Sequence, residues 1–463
     1  MIDHVESKVY NNGPSLTGAS KMGSEKLPLR NIGIYHNLPD YDSSITDQHV
    51  IITGANGISG FGTMRALLDA PQRWTKIYAL SRRPPPEQMM KLLTAEQRSR
   101  VQHVACDFLE SGEKIAQALK DANVKADYIF FYSYLQPKPP KGAAAWSNAD
   151  ELVKVNVALL KNFLDALPLA GIKPKRFLLQ TGAKNYGVHI GRARTPAVES
   201  DPQPQHLEPN FYYPQEDALH KYCEANGVDW NIVMPAWILG AVNNAQMNAL
   251  HPFSVYSAVQ AHKGEPLAFF GDWNAWQDLS FHSTARLTGY LSEWAVLEEK
   301  CKNQRFNSTD SGPFSWDRFY HELTRWFGVE KGVVPPTEDD SKYQEMTGRS
   351  GKDTPLGYGP PTKIRASGTF TAWAQDPKNS QAWAEIMKQS GGHLTHNPFD
   401  DVEANFTFAD YAFLPMMLCP NKARLLGWTG FVDTIESVFE MYHEMETLGM
   451  VPRMKVEKPR PLA

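Results

Sequence analysis

From His49 to about Pro235 the chain alternates short, almost wholly apolar runs with longer stretches whose apolar positions recur every three or four residues. The short runs are HVIITG (49–54), KIYALS (76–81), VQHVAC (101–106), DYIFFYS (127–133), RFLLQTG (176–182) and WNIVMP (230–235). They are rich in β-branched and aromatic residues and lack polar alternation, which predicts strands covered on both faces, as in a parallel sheet. The periodic stretches between them predict helices near 58–69, 112–122, 150–167 and 213–226. Strands alternating with helices in this way predict a doubly wound α/β sheet.

After Gly240 the alternation stops, and aromatic residues in irregular segments take over, including PLAFFGDWNAWQDLSF (266–281). One further short strand, RFNSTD (305–310), is expected to return to the sheet. SWDRFYHELTRWFG (315–328) follows as an amphipathic helix opened by a Ser cap. Residues 335–372 are rich in Pro, Gly, Ser, Thr and charge, too polar to build a core of their own, and form a loop-rich insertion. Helical periodicity resumes at 378–389 and at 430–448. The expected organisation is an N-terminal arm (1–47), a nucleotide-binding domain (48–240), a smaller, mainly helical substrate-capping region (241–453) and a tail (454–463). The arm mixes charge with Gly, Pro and Asn and is expected to be a passive surface tail, with one anchoring strand as the alternative.

Composition narrows the classes. The chain has 463 residues, with 47 Lys and Arg against 51 Asp and Glu, a net charge of −4. That balance lacks the positive field a nucleic-acid partner requires. Cys106, Cys223, Cys301 and Cys419 are far apart and form no CxxC or Cys/His cluster, so neither a disulfide framework nor a metal site is expected. Fourteen histidines are scattered, and none has the spacing of a zinc-protease helix. No stretch has the length of a membrane span or the apolar run of a secretory signal, so a cytoplasmic protein is expected.

The segment TGANGISG (53–60) follows an apolar strand and opens a helix, with a second strand beginning about 20 residues on. Gly54, Gly57 and Gly60 permit a tight turn, and Asn56 and Ile58 complete it, so that a pyrophosphate can meet backbone N–H groups at a helix N-terminus. This is the Rossmann-type arrangement. The second strand ends in Ser81, Arg82 and Arg83, where an NAD enzyme more often carries a carboxylate for the ribose. Two guanidinium groups there would pair with a 2′-phosphate, which selects NADPH; the alternative is a solvated surface loop before three prolines. Asp107, past the third strand, is placed either to accept from an adenine amino group or to cap a helix. Phe108, Ser133 and Thr181 follow strand ends on the same expected edge, and Pro235 and Ile238 lie in the turn after the sixth strand.

Short-chain dehydrogenases usually carry a Tyr and, four residues later on the same helix, a Lys that lowers the phenol pKa. Here the position four after Tyr213 is Asp217, a carboxylate that would raise it. A cation is available instead at Lys184, in TGAKNY (181–186) at the end of the fifth strand. The pair TG-x-K-x-Y and NFYY-xx-ED (210–217) resembles the progesterone 5β-reductase and iridoid synthase-like enone reductases, an atypical group of extended short-chain dehydrogenases. The resemblance runs from about His49 to Pro452, through the glycine turn, the Arg pair, RFNSTDSGPFSWDRF (305–319) and CPNKARLLGWTGFVDTIES (419–437).

This resemblance implies an NADPH-dependent reductase in which Tyr213 faces the substrate carbonyl oxygen, with Tyr212 as runner-up, while Lys184 supports both phenol and cofactor. Hydride added to the β-carbon of an α,β-unsaturated carbonyl drives charge onto oxygen, and a phenol beside an ammonium stabilises that enolate. Taken singly, Lys184 could be a surface lysine and Tyr213 an anchor for a helix start. Tyr134, Tyr186, Trp237 and Trp273 are candidate substrate contacts, although core filling is the simpler role for Trp273 and Trp276. Capping by Ser283 is expected rather than catalysis by the adjacent His282. The partner expected is a small hydrophobic carbonyl compound, with a homodimer left open. Carbonyl reduction, a non-redox isomerisation or cyclisation, and non-catalytic NADPH sensing remain alternatives on the same fold.

Overall fold

The computed structural model describes residues 28–41, 43–137, 148–243 and 247–462. Seven strands form one sheet: β1 (Gln48–Thr53), β2 (Trp74–Ser81), β3 (Val101–Ala105), β4 (Tyr128–Phe131), β5 (Arg176–Gln180), β6 (Asp229–Met234) and β7 (Gln304–Asn307). Their spatial order is β3-β2-β1-β4-β5-β6-β7, and every neighbouring pair is parallel. The order reverses at β1, and the crevice this opens at the strands' carboxyl ends is where ligands bind in such sheets.

The two-residue period of a strand divides the apolar runs between two cores. Val50, Ile52, Ile77 and Ala79 face one core, while Ile51, Tyr78, Leu80 and Ile129 face the other. Helices α1 (Ile58–Leu68), α2 (Gly112–Asp121), α3 (Ala149–Leu169) and α4 (Tyr212–Asn226) follow the strands in turn. Ile115, Leu160, Phe163 and Leu219, from α2, α3 and α4, cover the second core. The first core is covered by α1 together with α5 (His251–Lys263), α6 (Ala285–Leu297), α7 (Trp316–Phe327), α8 (Pro377–Gln389) and α9 (Thr434–Thr447). The capping region thus shares its core with one face of the sheet; Phe253 of α5, for example, packs 4.4 Å from Phe370 between ring centroids.

The strands and the four early helices form where periodicity predicts them, and β7 returns to pair with β6 as expected. Ser315 caps α7 by accepting from the Arg318 N–H at 3.5 Å. Ser283 does not cap α6. Its hydroxyl accepts from the Ala236 N–H and donates to the Ser308 carbonyl, while buried Asp310 accepts the Thr284 N–H at 2.6 Å. Strand-end tertiary bonds take the place of a local cap here.

Most of the 1–47 arm, residues 1–27, lies outside the described residues, but 28–41 is not a passive tail. Leu29–Ile32 and Tyr35–Pro39 form an antiparallel hairpin, Tyr35 and Leu38 are buried, and the Tyr35 hydroxyl donates to Glu440 at 3.0 Å. The 335–372 segment also contains a hairpin, Gln344–Thr347 against Lys363–Ala366.

Candidate active site

The turn after β1 is built by close backbone approach. Gly54 has φ +63°, and a Cβ there would lie 2.9 Å from the Tyr132 carbonyl carbon. A Cβ on Gly60 would lie 2.3 Å from the Gly54 oxygen, which itself accepts the Gly57 N–H at 2.9 Å. Gly57 opens α1 with no side-chain cap, so the helix's first N–H groups face an anion position without an internal acceptor. Ile58, the first helical residue, packs against Gly240 beyond β6.

Asn56 ties this turn to the Arg pair. Its Nδ2 donates to the Arg83 carbonyl at 2.8 Å, and the Ser81 hydroxyl donates to that same oxygen at 2.7 Å. Arg82 and Arg83 are both exposed. Asp107 is exposed after β3 and accepts from the Leu109 N–H at 3.0 Å. It caps no helix; Ser111 caps α2. Phe108 is buried against Phe131 and Phe163 and holds this loop down.

Around the centre of the edge, Thr53 accepts from the N–H groups of Tyr132 and Ser133 and turns the chain after β4. Three buried polar atoms here have no hydrogen-bond partner among the described residues: Asn56 Oδ1, Gln180 Oε1 and Thr181 Oγ1. Orphaned buried acceptors are costly unless a ligand satisfies them. Together with the uncapped α1 and a cradle that a Cβ at Gly54 or Gly60 would fill, they fit a dinucleotide. Asn56, Gly57, Ser81, Arg82 and Arg83 could hold its phosphates, and Ser133, Thr181, Pro235 and Ile238 its nicotinamide end.

Lys184 sits in a 3-10 turn, Ala183–Tyr186, immediately beyond β5. Two segments fix that turn. Asn210, just before α4, donates from Nδ2 to the Lys184 carbonyl at 2.9 Å. Tyr213, at the start of α4, donates from its hydroxyl to the Asn185 carbonyl at 3.2 Å. The phenol and the amine-bearing turn, 28 residues apart in sequence, therefore meet at one sheet edge. Burial pulls the Lys184 ammonium down to about 7, with the Glu208 carboxylate opposing the shift. Burial also pushes the Tyr213 phenol up to about 12 and keeps it a proton donor.

Asp217 is exposed; the carboxylate acting on Tyr213 is Glu216, buried one residue earlier. Glu216 is paired with Arg305 of β7, and Gln203 Nε2 bridges it to Asn185 Oδ1 at 2.8 and 2.9 Å. Sequence reasoning missed this Arg305–Glu216–Gln203–Asn185 chain, because its members lie on four separate segments and carry no local motif.

Tyr212 is placed differently from Tyr213. A Cβ on Gly182 would lie 3.1 Å from its phenol oxygen and 3.3 Å from the Pro235 carbonyl, so glycine lets that ring approach the strand end. Phe211 stacks edge-on to it at 4.6 Å and lies 5.7 Å from Tyr134, forming an aromatic wall. Trp237, at φ +46°, packs 5.2 Å from Phe408, and its carbonyl meets His282 Nδ1 at 3.3 Å. Ile238 begins a short strand paired with Ser283.

Tyr186 and Trp273, the other two candidate substrate contacts, sit in different surroundings. Tyr186 is buried and its hydroxyl donates to Asn307 Oδ1 at 2.7 Å, so it anchors the Lys184 turn to β7. Trp273 is 47% exposed on a short surface helix, Trp273–Gln277, whereas Trp276 fills the cap core against Phe269 at 4.9 Å.

The family described as a PRISE-like Rossmann-fold domain matches residues 50–347. The chain is 25% identical to a short chain dehydrogenase, gsfE, of Penicillium aethiopicum, covering 87% of this chain and 98% of that one. It is also 25% identical to the (S)-8-oxocitronellyl enol synthase of Catharanthus roseus, covering 91% and 98%. Among solved structures, the Bordetella bronchiseptica enzyme WbmG in complex with NAD superposes with a TM-score of 0.52 at 14% identity, covering 88% of this chain and 96% of that one.

Proposed function

The chain belongs to the PRISE-like Rossmann-fold family, and from that membership we propose that it is an NADPH-dependent reductase of activated carbon–carbon double bonds, adding hydride to the β-carbon of an α,β-unsaturated carbonyl. The observation that carries this reading is the contact between the Tyr213 hydroxyl and the backbone of the Lys184 turn, beside an uncapped α1 at the carboxyl edge of the sheet. The enol synthase name among the relatives supports the same chemistry. The exposed Arg82 and Arg83 support a 2′-phosphate on the cofactor.

When bound, NADPH supplies the hydride. The protein's own residues deal with the charge that this addition sends to the carbonyl oxygen. Tyr213, kept protonated by its burial, turns its hydroxyl from the Asn185 carbonyl to that oxygen; hydrogen bonds of this kind are often long before substrate arrives. Lys184, when protonated, adds a fixed positive charge within a site of reduced dielectric. The walls formed by Tyr134, Phe211, Tyr212 and Trp237 exclude water and favour a hydrophobic substrate.

Incubation with a panel of enones and stereospecifically deuterated NADPH tests the proposal. Deuterium on the β-carbon of the saturated product is expected. Label on a carbinol carbon would make the protein a carbonyl reductase instead, turnover without NADPH consumption an isomerase or cyclase, and cofactor binding with no oxidation a sensor.

A further inference from the structure

Gln203 stands between Pro202 and Pro204, in a loop that runs towards α4. A proline fixes its own φ and narrows the backbone choices of the residue before it, so Gln203 is restricted from both sides. Pro204 is buried against the end of the Lys184 turn. Its Cγ lies 2.6 Å from where a Cβ on Gly187 would stand, and Gly187 has φ +73°. The loop is therefore stiff, is pressed onto the turn, and presents the Gln203 side chain from a set position.

From there one nitrogen joins two elements. Gln203 Nε2 donates to Glu216 Oε2 at 2.8 Å and to Asn185 Oδ1 at 2.9 Å, while its own Oε1 accepts from Gln205 Nε2 at 3.0 Å. A carboxylate only accepts, so the end of the amide that meets Glu216 is the NH2 group. Glu216 lies about one turn after Tyr213 on α4 and is buried and paired with Arg305. Its Oε1 has no hydrogen-bond partner among the described residues, so Oε2 takes both bonds. At the other end, Asn185 is buried in the Lys184 turn, and its backbone carbonyl accepts the Tyr213 hydroxyl. Besides the Asn210 bond just ahead of the helix, α4 and the turn are thus joined once through the Tyr213 hydroxyl and once through Gln203.

These two joints part company when substrate binds. In the reduction proposed above, the Tyr213 hydroxyl leaves the Asn185 carbonyl for the substrate oxygen, so its joint is open in the reacting complex. The Gln203 joint uses no reacting atom and stays closed. We propose that Gln203 is a positioning residue for Tyr213, holding α4 against the turn while the phenol is engaged with substrate. The catalytic consequence rests on the function proposed above; the placement of the Tyr213 ring by Gln203 does not. A displacement of about 1 Å at a reacting group costs about a hundredfold in rate, so even a partial relaxation of α4 away from the turn should be read in kcat.

Steady-state kinetics of the full chain on an enone test this. Gln203→Leu, which removes both donors, is expected to lower kcat about tenfold or more with KM nearly unchanged. In a Tyr213→Phe background the same substitution should cost less than about threefold, because the group it positions is already gone. Gln203→Lys, whose ammonium can donate to both Glu216 and Asn185, should keep kcat within about threefold of the parent. Gln203→Glu serves if Gln203→Leu fails to fold, since it keeps the shape and loses the donors. Unchanged kcat in the Leu and Glu variants would overturn the proposal, and so would an equal fold-loss with and without the Tyr213 hydroxyl. A Gln203→Lys protein as slow as Gln203→Leu would overturn the bridging role. If the parent reduces no enone, the proposed function fails, and fluorine NMR of the ligand-free chain labelled with 3-fluorotyrosine still decides the placement. The Tyr213 line, identified by its loss in Tyr213→Phe, is expected to shift or split in Gln203→Glu, and an unmoved line would overturn the claim.

Discussion

Replacing Lys184 by Met removes the amine's charge while keeping an unbranched side chain of similar length, and the structure sets the sign and size of the outcome. Burial lowers the ammonium from 10.5 to about 7. Between those values the unfolded chain holds a proton that the folded chain has lost, so stability rises with pH across the window. The penalty is fully present below the folded value and gone above the unfolded one. At about 1.4 kcal/mol per unit the whole shift corresponds to roughly 5 kcal/mol. Lys184 keeps part of its surface in solvent, and screening reduces the expected penalty to about 2 kcal/mol. Lys184→Met should thus be more stable than the parent by about that amount near pH 6.5, with the advantage disappearing above about pH 10.5. Urea unfolding of both proteins across this range, with unchanged slopes, measures it. The same variant should lose enone reduction by about a hundredfold or more. A stability difference that does not vary with pH would refute the buried-amine argument.

Gly60→Ala drives a methyl group to within 2.3 Å of the Gly54 oxygen; thermal melting should show a loss of about 1–3 kcal/mol, and NADPH fluorescence titration a sharply weaker complex. Tyr213→Phe should lower kcat by about a hundredfold or more, with Tyr212→Phe affecting mainly KM; the reverse pattern would transfer the proton-donor role to Tyr212. Replacing Arg82 and Arg83 together by Ser should weaken NADPH about tenfold or more while leaving NADH nearly unchanged, and equal losses for both cofactors would reject the 2′-phosphate contact.

By itself the sequence determined the sheet, because buried parallel strands must be continuously apolar and six such runs, spaced by helical periods, admit few other arrangements. It also determined the glycine turn after β1: the spacing of Gly54, Gly57 and Gly60 is local, and a Cβ at Gly54 or Gly60 would run into backbone. Lys184 and Tyr213, the proposed catalytic pair, stand out in the sequence only through a motif resemblance, since each lies within a short segment of distinctive spelling. What lies between segments was decided by tertiary structure alone. Tyr186 sits in the same motif as Lys184, yet packing turns its hydroxyl to Asn307 of β7. Asp217 holds the motif position four after Tyr213, yet helix geometry leaves it exposed and gives Glu216 to Arg305. Tyr35 in an unpromising arm and Arg349 in a polar insertion find partners at Glu440 and Glu208. Periodicity reports which face of an element is buried, but not what another element will bring against it. The electrostatic partners of the site come from such long-range meetings, and those only the folded chain determines.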